Sequence, residues 1–245
     1  MLSGAEVERF SPQLLARLCG LFTLTGILTG AFDIGYVHST LFVAGNPAAT
    51  FQNIHAHQML FRLGFGAHLL LLLCNVPGEI LFFFLFRRVN AVVAAVAMCC
   101  GLVGTAVEAL DMAAAYVPLA AALDSGALAV FSADQLHALA YLSLQIQTAG
   151  LLISFIFYGL DEILAGSLIF RSAFLPRVIG LMLSLAGLCY LSDGFLHFLS
   201  PALYARANPY ILFPCAPGEG ATALWMAIAG INLARFRSWP SAPEK

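Results

Sequence analysis

Glu108 and Asp111 stand one helical turn apart inside a long apolar stretch, in a chain of 245 residues that holds only 13 acids and 11 Lys or Arg. Carboxyls at i,i+3 share one face of a helix, and they repel each other if both ionise. Such a pair suits acid–base chemistry. A carboxylic acid kept neutral by its surroundings can protonate an alkene, epoxide or carbonyl while a second group takes a proton back. Asp193, with His197 four residues on, and Glu219, beside Pro217 and Gly218, are the other acids of this kind. Glu108, Asp111, Asp193 and Glu219 are therefore the candidate catalytic set. His68, His197, Gln145, Tyr190 and Trp225 are the candidate substrate-binding residues.

Plainer readings compete at several positions. His38, His55 and His57 fall near the expected membrane interface, where polar side chains are ordinary. Asp193 and His197 could form a helix-end hydrogen bond. Asp161 and Glu162 lie toward the opposite side and suit an anchoring role, and Glu79 belongs with them. The six cysteines show no CxxC and no metal-type spacing, so they read as small apolar residues. Thr25, Thr29, Asp33 and Tyr36 recur at intervals of three to four and make one polar stripe on the first helix. Pro217-Gly218 is expected to loosen the last helix and free carbonyls.

The elements that hold these groups are set by composition. Hydrophobic residues make up 61% of the chain and charged residues 10%, with a mean hydropathy of +0.90. A water-facing surface needs about a quarter charged residues, so lipid must be the solvent here. Runs of about 20 apolar residues cross a bilayer as helices, and period-2 alternation is absent. The reading is an all-α polytopic membrane protein, a single domain over residues 1–245, with six transmembrane helices. The expected spans are Leu14–Tyr36, Gln58–Phe86, Ala91–Leu119, Leu139–Ile169, Val178–Leu199 and Ile211–Ala234. Glu6, Glu8 and Arg9 ahead of the first span argue for a retained helix over a cleaved signal.

Arg9, Arg17, Arg87, Arg88, Arg171, Arg177, Arg235, Arg237 and Lys245 fall at the N-terminus, the second and fourth loops and the C-terminus. Only Arg62 and Arg206 lie near the other loops. That asymmetry predicts cytoplasmic termini in a cell inner (plasma) membrane. All six histidines and most of the embedded acids then lean toward the arginine-poor side. A net charge of −2 with no basic run excludes nucleic acid as a partner.

The order of motifs resembles a bacterial membrane family known as domain of unknown function DUF4386. The landmarks are Phe61-Arg62-Leu63-Gly64, Arg88-Val89-Asn90, Asp134-Gln135-Leu136-His137-Ala138-Leu139, Phe170-Arg171-Ser172-Ala173-Phe174-Leu175-Pro176-Arg177, Ala186-Gly187-Leu188-Cys189-Tyr190-Leu191-Ser192-Asp193, and Gly218-Glu219 with Ala223-Leu224-Trp225 and Gly230-Ile231-Asn232. The resemblance implies a multi-pass helical fold and no settled activity, and Asp193 and Glu219 match polar positions of its pattern. Glu108 and Asp111 stand where the pattern has neutral amides or apolar residues. His68 replaces a small acid, and Gln145 and Gln147 replace a His-aromatic element. These departures imply a re-equipped cavity.

The functional expectation is an outward-facing acidic and histidine pocket. Its first reading is a membrane-embedded enzyme that isomerises or cyclises a lipophilic small molecule, comparable in architecture to small membrane terpene cyclases. No cofactor is implied by the motifs. A haem- or metal-binding protein is an alternative because of the histidines, and a transporter or small-molecule sensor is another because of the embedded acids.

Overall fold

A computed structural model of the protein describes residues 11–123, 130–208 and 210–239. Arg9 and Lys245 of the charge pattern lie outside these residues. The described residues form helices and connecting turns, with no strand. Six helices are long and apolar enough to cross a membrane, so the protein is a multi-pass helical membrane protein.

Helix α1 spans Pro12–Leu41, followed by the short α2, Pro47–Ala56. Next come α3 (Gln58–Phe86), α4 (Ala91–Leu123), α5 (Ala133–Ser172) and α6 (Arg177–Leu199). The short α7 (Pro201–Ala207) leads to α8 (Cys215–Ile228) and then α9 (Leu233–Ser238). The helix starts are written locally in the sequence. Ser11, Asn46, Ser132 and Asn232 cap α1, α2, α5 and α9 with their side-chain oxygens. Asn90 does the same for Val93 at the start of α4. Each satisfies a backbone N–H that the helix cannot.

The spans differ from the sequence reading at their ends. Helix α5 is 40 residues long, or about 60 Å at 1.5 Å per residue, which exceeds the hydrocarbon core. It starts at Ala133 because a Ser132/Gln135 capping box nucleates it. The last span stops at Ile228 instead of running to Ala234. Gly230 turns the chain there with φ at 69°, a conformation glycine adopts without penalty. Pro217 does not loosen α8. It occupies the third helical position, where its missing N–H is unneeded.

The six spanning helices pack in chain order, α1 on α3, α3 on α4, α4 on α5, α5 on α6, α6 on α8, and α8 back on α1. This closes a ring whose outer surface carries large apolar side chains such as Leu110, Leu73 and Ile228. Glycines set the closest crossing. A Cβ on Gly187 would lie 2.5 Å from the Gly159 carbonyl oxygen, and Gly166 faces Gly180 in the same way. Backbones in contact gain packing that lipid cannot supply.

The two ends of the ring are closed differently. At the end carrying Arg87, Arg88, Arg171, Arg177, Arg235 and Arg237, an apolar plug forms from Leu85, Phe86, Leu168, Ile169, Phe174 and Met226 with their neighbours. At the opposite end α2 lies against α4 and α5 as a lid. Its Ile54 is fully buried in a cluster with Val37, Leu41, Phe61 and Leu144. Gly45 N–H donates to the Tyr141 hydroxyl at 2.9 Å, and the Asn53 amide donates to the Leu41 carbonyl at 3.3 Å, which pins the lid at both sides.

The glycine crossing gives a direct test. Gly187→Ala is expected to cost about 1–3 kcal/mol through overpacking, read as a lower melting temperature in detergent. Unchanged melting would mean that α5 and α6 separate without cost.

Candidate functional site

The centre of the site is one imidazole between two carboxyls. His68 Nδ1 lies 2.7 Å from Asp33 Oδ2, and Nε2 lies 3.1 Å from Glu108 Oε1. The three side chains come from α3, α1 and α4, and each is buried, with His68 at 1% exposure. The Asp33 contact is a hydrogen bond. The Glu108 contact rests on charge and proximity. Behind it, the Tyr158 hydroxyl donates to Glu108 Oε2 at 2.7 Å, and the Asn75 amide donates to the Tyr158 oxygen at 3.3 Å. Groups like these, taken out of water, persist only when neighbours answer their charge.

Asp33 reaches this position through a local irregularity. Residues Ala31–His38 of α1 wind as a π-helix, the kind of widened turn that often marks functional sites. The extra residue per turn puts Asp33 and Val37 inside and leaves Tyr36 exposed. The polar stripe expected on α1 is therefore broken. Thr25 and Thr29 bond to carbonyls of their own helix, and only Asp33 joins the centre.

Four polar side chains here lie in notches left by glycines on an adjacent helix. An added Cβ would come within 2.6 Å of Asp33 Oδ1 at Gly64, 2.5 Å of the Glu79 carboxyl carbon at Gly101, 2.8 Å of the Tyr158 ring at Gly104 and 2.5 Å of Asp111 Cβ at Gly150. The same small residues that let helices approach also make room for the groups that do chemistry.

Asp111 is one turn from Glu108, but it does not join the triad. Its two oxygens are buried without a hydrogen-bond partner, as is Gln147 Oε1. A gap of about 10 Å³, bordered by Asp33, His38, Met112 and Gln147 among others, opens beside them. That is the size of one water. Further toward the arginine-rich end, Asp161 lies against Glu79, and Glu162 against Glu219. Carboxyls this close do not readily both ionise. Tyr190 donates to Glu219 Oε1 at 2.5 Å.

The candidate residues thus fall into separate groups. Glu108 and His68 meet, with Asp33 and Tyr158, which the candidate set lacked. Asp111 borders them. Glu219 and Tyr190 pair with Glu162, a residue expected only to anchor. Asp193 is fully buried and accepts from the Asn208 amide at 3.2 Å, not from His197. The His197 ring packs on Tyr204 and Phe198, and its Nδ1 has no partner. Gln145 faces outward while Gln147 faces inward. Trp225 lines a different groove, near the arginine-rich end. Among the described residues no three His, Cys, Asp or Glu side chains are arranged to hold a metal ion, and the six cysteines are unpaired.

Three substitutions check this geometry. Gly64→Ala is expected to push on Asp33 and Val37 and cost about 1–3 kcal/mol, whereas Gly66→Ala, with open space around it, should be neutral in melting temperature. His68→Leu leaves two buried carboxyls without their base and is expected to cost roughly 3–5 kcal/mol. Equal melting of Gly64→Ala and Gly66→Ala would contradict the notch.

An uncharacterized protein of Archaeoglobus fulgidus is 30% identical over 88 residues, which is 36% of this chain and 51% of that protein. The chain spans about half the length of this curated relative. No solved structure matches the chain. The description of the domain of unknown function DUF4386 matches residues 18–230, most of the protein and all six spans apart from the start of the first. The chain belongs to the DUF4386 family of unknown function.

Proposed function

We propose that the protein is a proton-linked membrane carrier for a small cation, with Asp33, His68 and Glu108 as the coupling site and α2 as the lid over the entrance. The observation that carries this reading is the single imidazole held between carboxyls of two other helices. One protonation event there alters the tie between α1, α3 and α4 at once. Chains of Asp, Glu and His inside a membrane commonly serve proton relay and coupling. The interior also favours positive charge. Asp33, Glu79, Glu108, Asp111, Asp161, Glu162 and Glu219 face it with one histidine and no Lys or Arg among them.

A lipophilic substrate for an acid–base enzyme needs Glu108, Asp111, Asp193 and Glu219 around one pocket, and they stand in separate groups. The gap beside the triad has room for about one water and none for a substrate. A carrier with both ends shut accounts for this arrangement more simply. Its plug closes the arginine-rich end, and its lid closes the other. The reading takes the arginine-rich end as cytoplasmic, in the plasma membrane, so that the lid faces outward.

Loss of one carboxylate charge from the triad removes part of its attraction for His68 and loosens the helices beneath the lid. The gap should therefore open in Glu108→Gln. Ala115 borders the gap and is 3% exposed. In a cysteine-free background, Ala115→Cys should react with a membrane-impermeant thiol reagent at least tenfold faster when Glu108→Gln is added. The rate is taken relative to Met59→Cys, an exposed position at the start of α3. An equal rate with and without Glu108→Gln would refute the coupling. In proteoliposomes with a pH dye inside, an organic-cation panel including ethidium should move protons through the parent protein and not through Glu108→Gln. No proton movement with any member would refute the carrier.

A further inference from the structure

A second concave site lies at the arginine-rich end of the molecule, away from the Asp33, His68 and Glu108 triad. It is a groove of about 340 Å³ between the α5–α6 turn and the end of α8. That volume is within the range of small-molecule sites. Its construction is rigid. Gln13 clasps the turn after α8, its amide donating to the Ala229 carbonyl at 2.8 Å and its oxygen accepting from Ile231 N–H at 3.1 Å. Asn232 N–H donates to the Phe174 carbonyl at 2.9 Å and ties this turn to the α5–α6 turn. Gly230, at φ 69°, allows the bend, and a side chain there would collide with Gln13.

The groove has two chemical characters. Its floor is apolar, with Phe174, Leu175 and Ile231 buried and the Trp225 ring 44% exposed along one wall. Among the described residues its rim carries one charge, Arg235, whose Nη1 donates to the Ala173 carbonyl at 3.0 Å. That bond fixes the guanidinium at the edge and uses only part of its five donors. Among the described residues no acid lines the groove. Arg171, Arg177 and Arg237 follow or precede the lining segments within a few residues.

The position decides the ligand. The groove lies where three spanning helices end, so it is level with the headgroups of a surrounding bilayer. Tryptophan favours that depth, and basic pockets between helix ends bind anionic headgroups. Exposed apolar side chains of α8, Leu224 and Ile228, continue from the groove down the outside of the ring. We propose that this groove binds one anionic glycerophospholipid. The phosphate rests on Arg235, the glycerol lies over Leu175 and Trp225, and the acyl chains follow α8 into the membrane. A lipid fits better than a soluble phosphate compound because the walls beyond the arginine are apolar and open toward the hydrocarbon. The site is tested separately from the carrier reading, since it shares no residue with the triad or the lid.

Native mass spectrometry of the full chain, released from mixed micelles of phosphatidylglycerol and phosphatidylcholine, tests this. One phosphatidylglycerol should remain bound in at least tenfold preference over phosphatidylcholine. Arg235→Gln should bring the preference close to one, Arg235→Lys should keep most of it, and Arg206→Gln at the opposite end should leave it intact. If Arg235→Gln melts early, Trp225→Ala supplies the second variant, with an expected loss of retained lipid of several fold. Equal retention of the two lipids in the parent protein, or an unchanged preference in Arg235→Gln, would overturn the proposal. Displacement of the lipid by glycerol 3-phosphate at millimolar concentration would overturn it too, because the ligand would then be the soluble phosphate.

Discussion

A base buried between two acids, in the middle of a molecule whose solvent is lipid, constrains everything around it. Neither Asp33, His68 nor Glu108 can be exposed to hydrocarbon without a cost of several kcal/mol. Each therefore has to find the others, and they sit on three different helices. The triad is thus a statement about the relative rotation of α1, α3 and α4. Twisting any of them by one residue turns its polar group toward lipid or an apolar neighbour. Tyr158 and Asn75 extend the same demand to α5 and to a second level of α3.

The packing around the triad follows from that demand. Polar side chains at helix crossings need volume, and a bilayer provides no water to fill a loose fit. Gly64, Gly101, Gly104 and Gly150 leave the volume where Asp33, Glu79, Tyr158 and Asp111 occupy it. Elsewhere glycines serve tight crossings, as between α5 and α6. The apolar plug then isolates the polar interior from the arginine-rich end, and α2 covers it from the other. A molecule built this way holds its embedded acids at two levels, with Asp33, Glu108 and Asp111 around His68 nearer the lid and Glu79, Asp161, Glu162 and Glu219 nearer the plug.

Much of the fold was legible residue by residue. Apolar runs of sufficient length marked the six spans, and the second was placed at the observed limits, Gln58–Phe86. Capping residues such as Ser132 could have sharpened α5, whose start was read six residues late. The site was legible in part. His68 and Glu108 stood out because ionisable groups are expensive in a span. Asp33 was visible only as one member of a stripe, because nothing in local periodicity announces a π-helical turn. Glu162 was underrated because its partner, Glu219, is 57 residues away and becomes a neighbour only when α8 packs on α6 and α6 on α5. Asp193 and His197 were paired by their spacing, yet Asn208 from the following turn takes the carboxylate.

The sequence by itself determined the solvent, the number of spans, the arginine-rich end and the cost of each embedded charge. Those properties depend on composition and on distances along one helix. Which carboxyl meets which base, which glutamine faces inward and which tryptophan lines a groove were decided only by tertiary structure. Helix rotation and the closing of the ring by α8 on α1 bring residues together across more than two hundred positions, as when Gln13 clasps Ala229 and Ile231. No local pattern encodes such contacts, because each is set by the joint packing of all six helices.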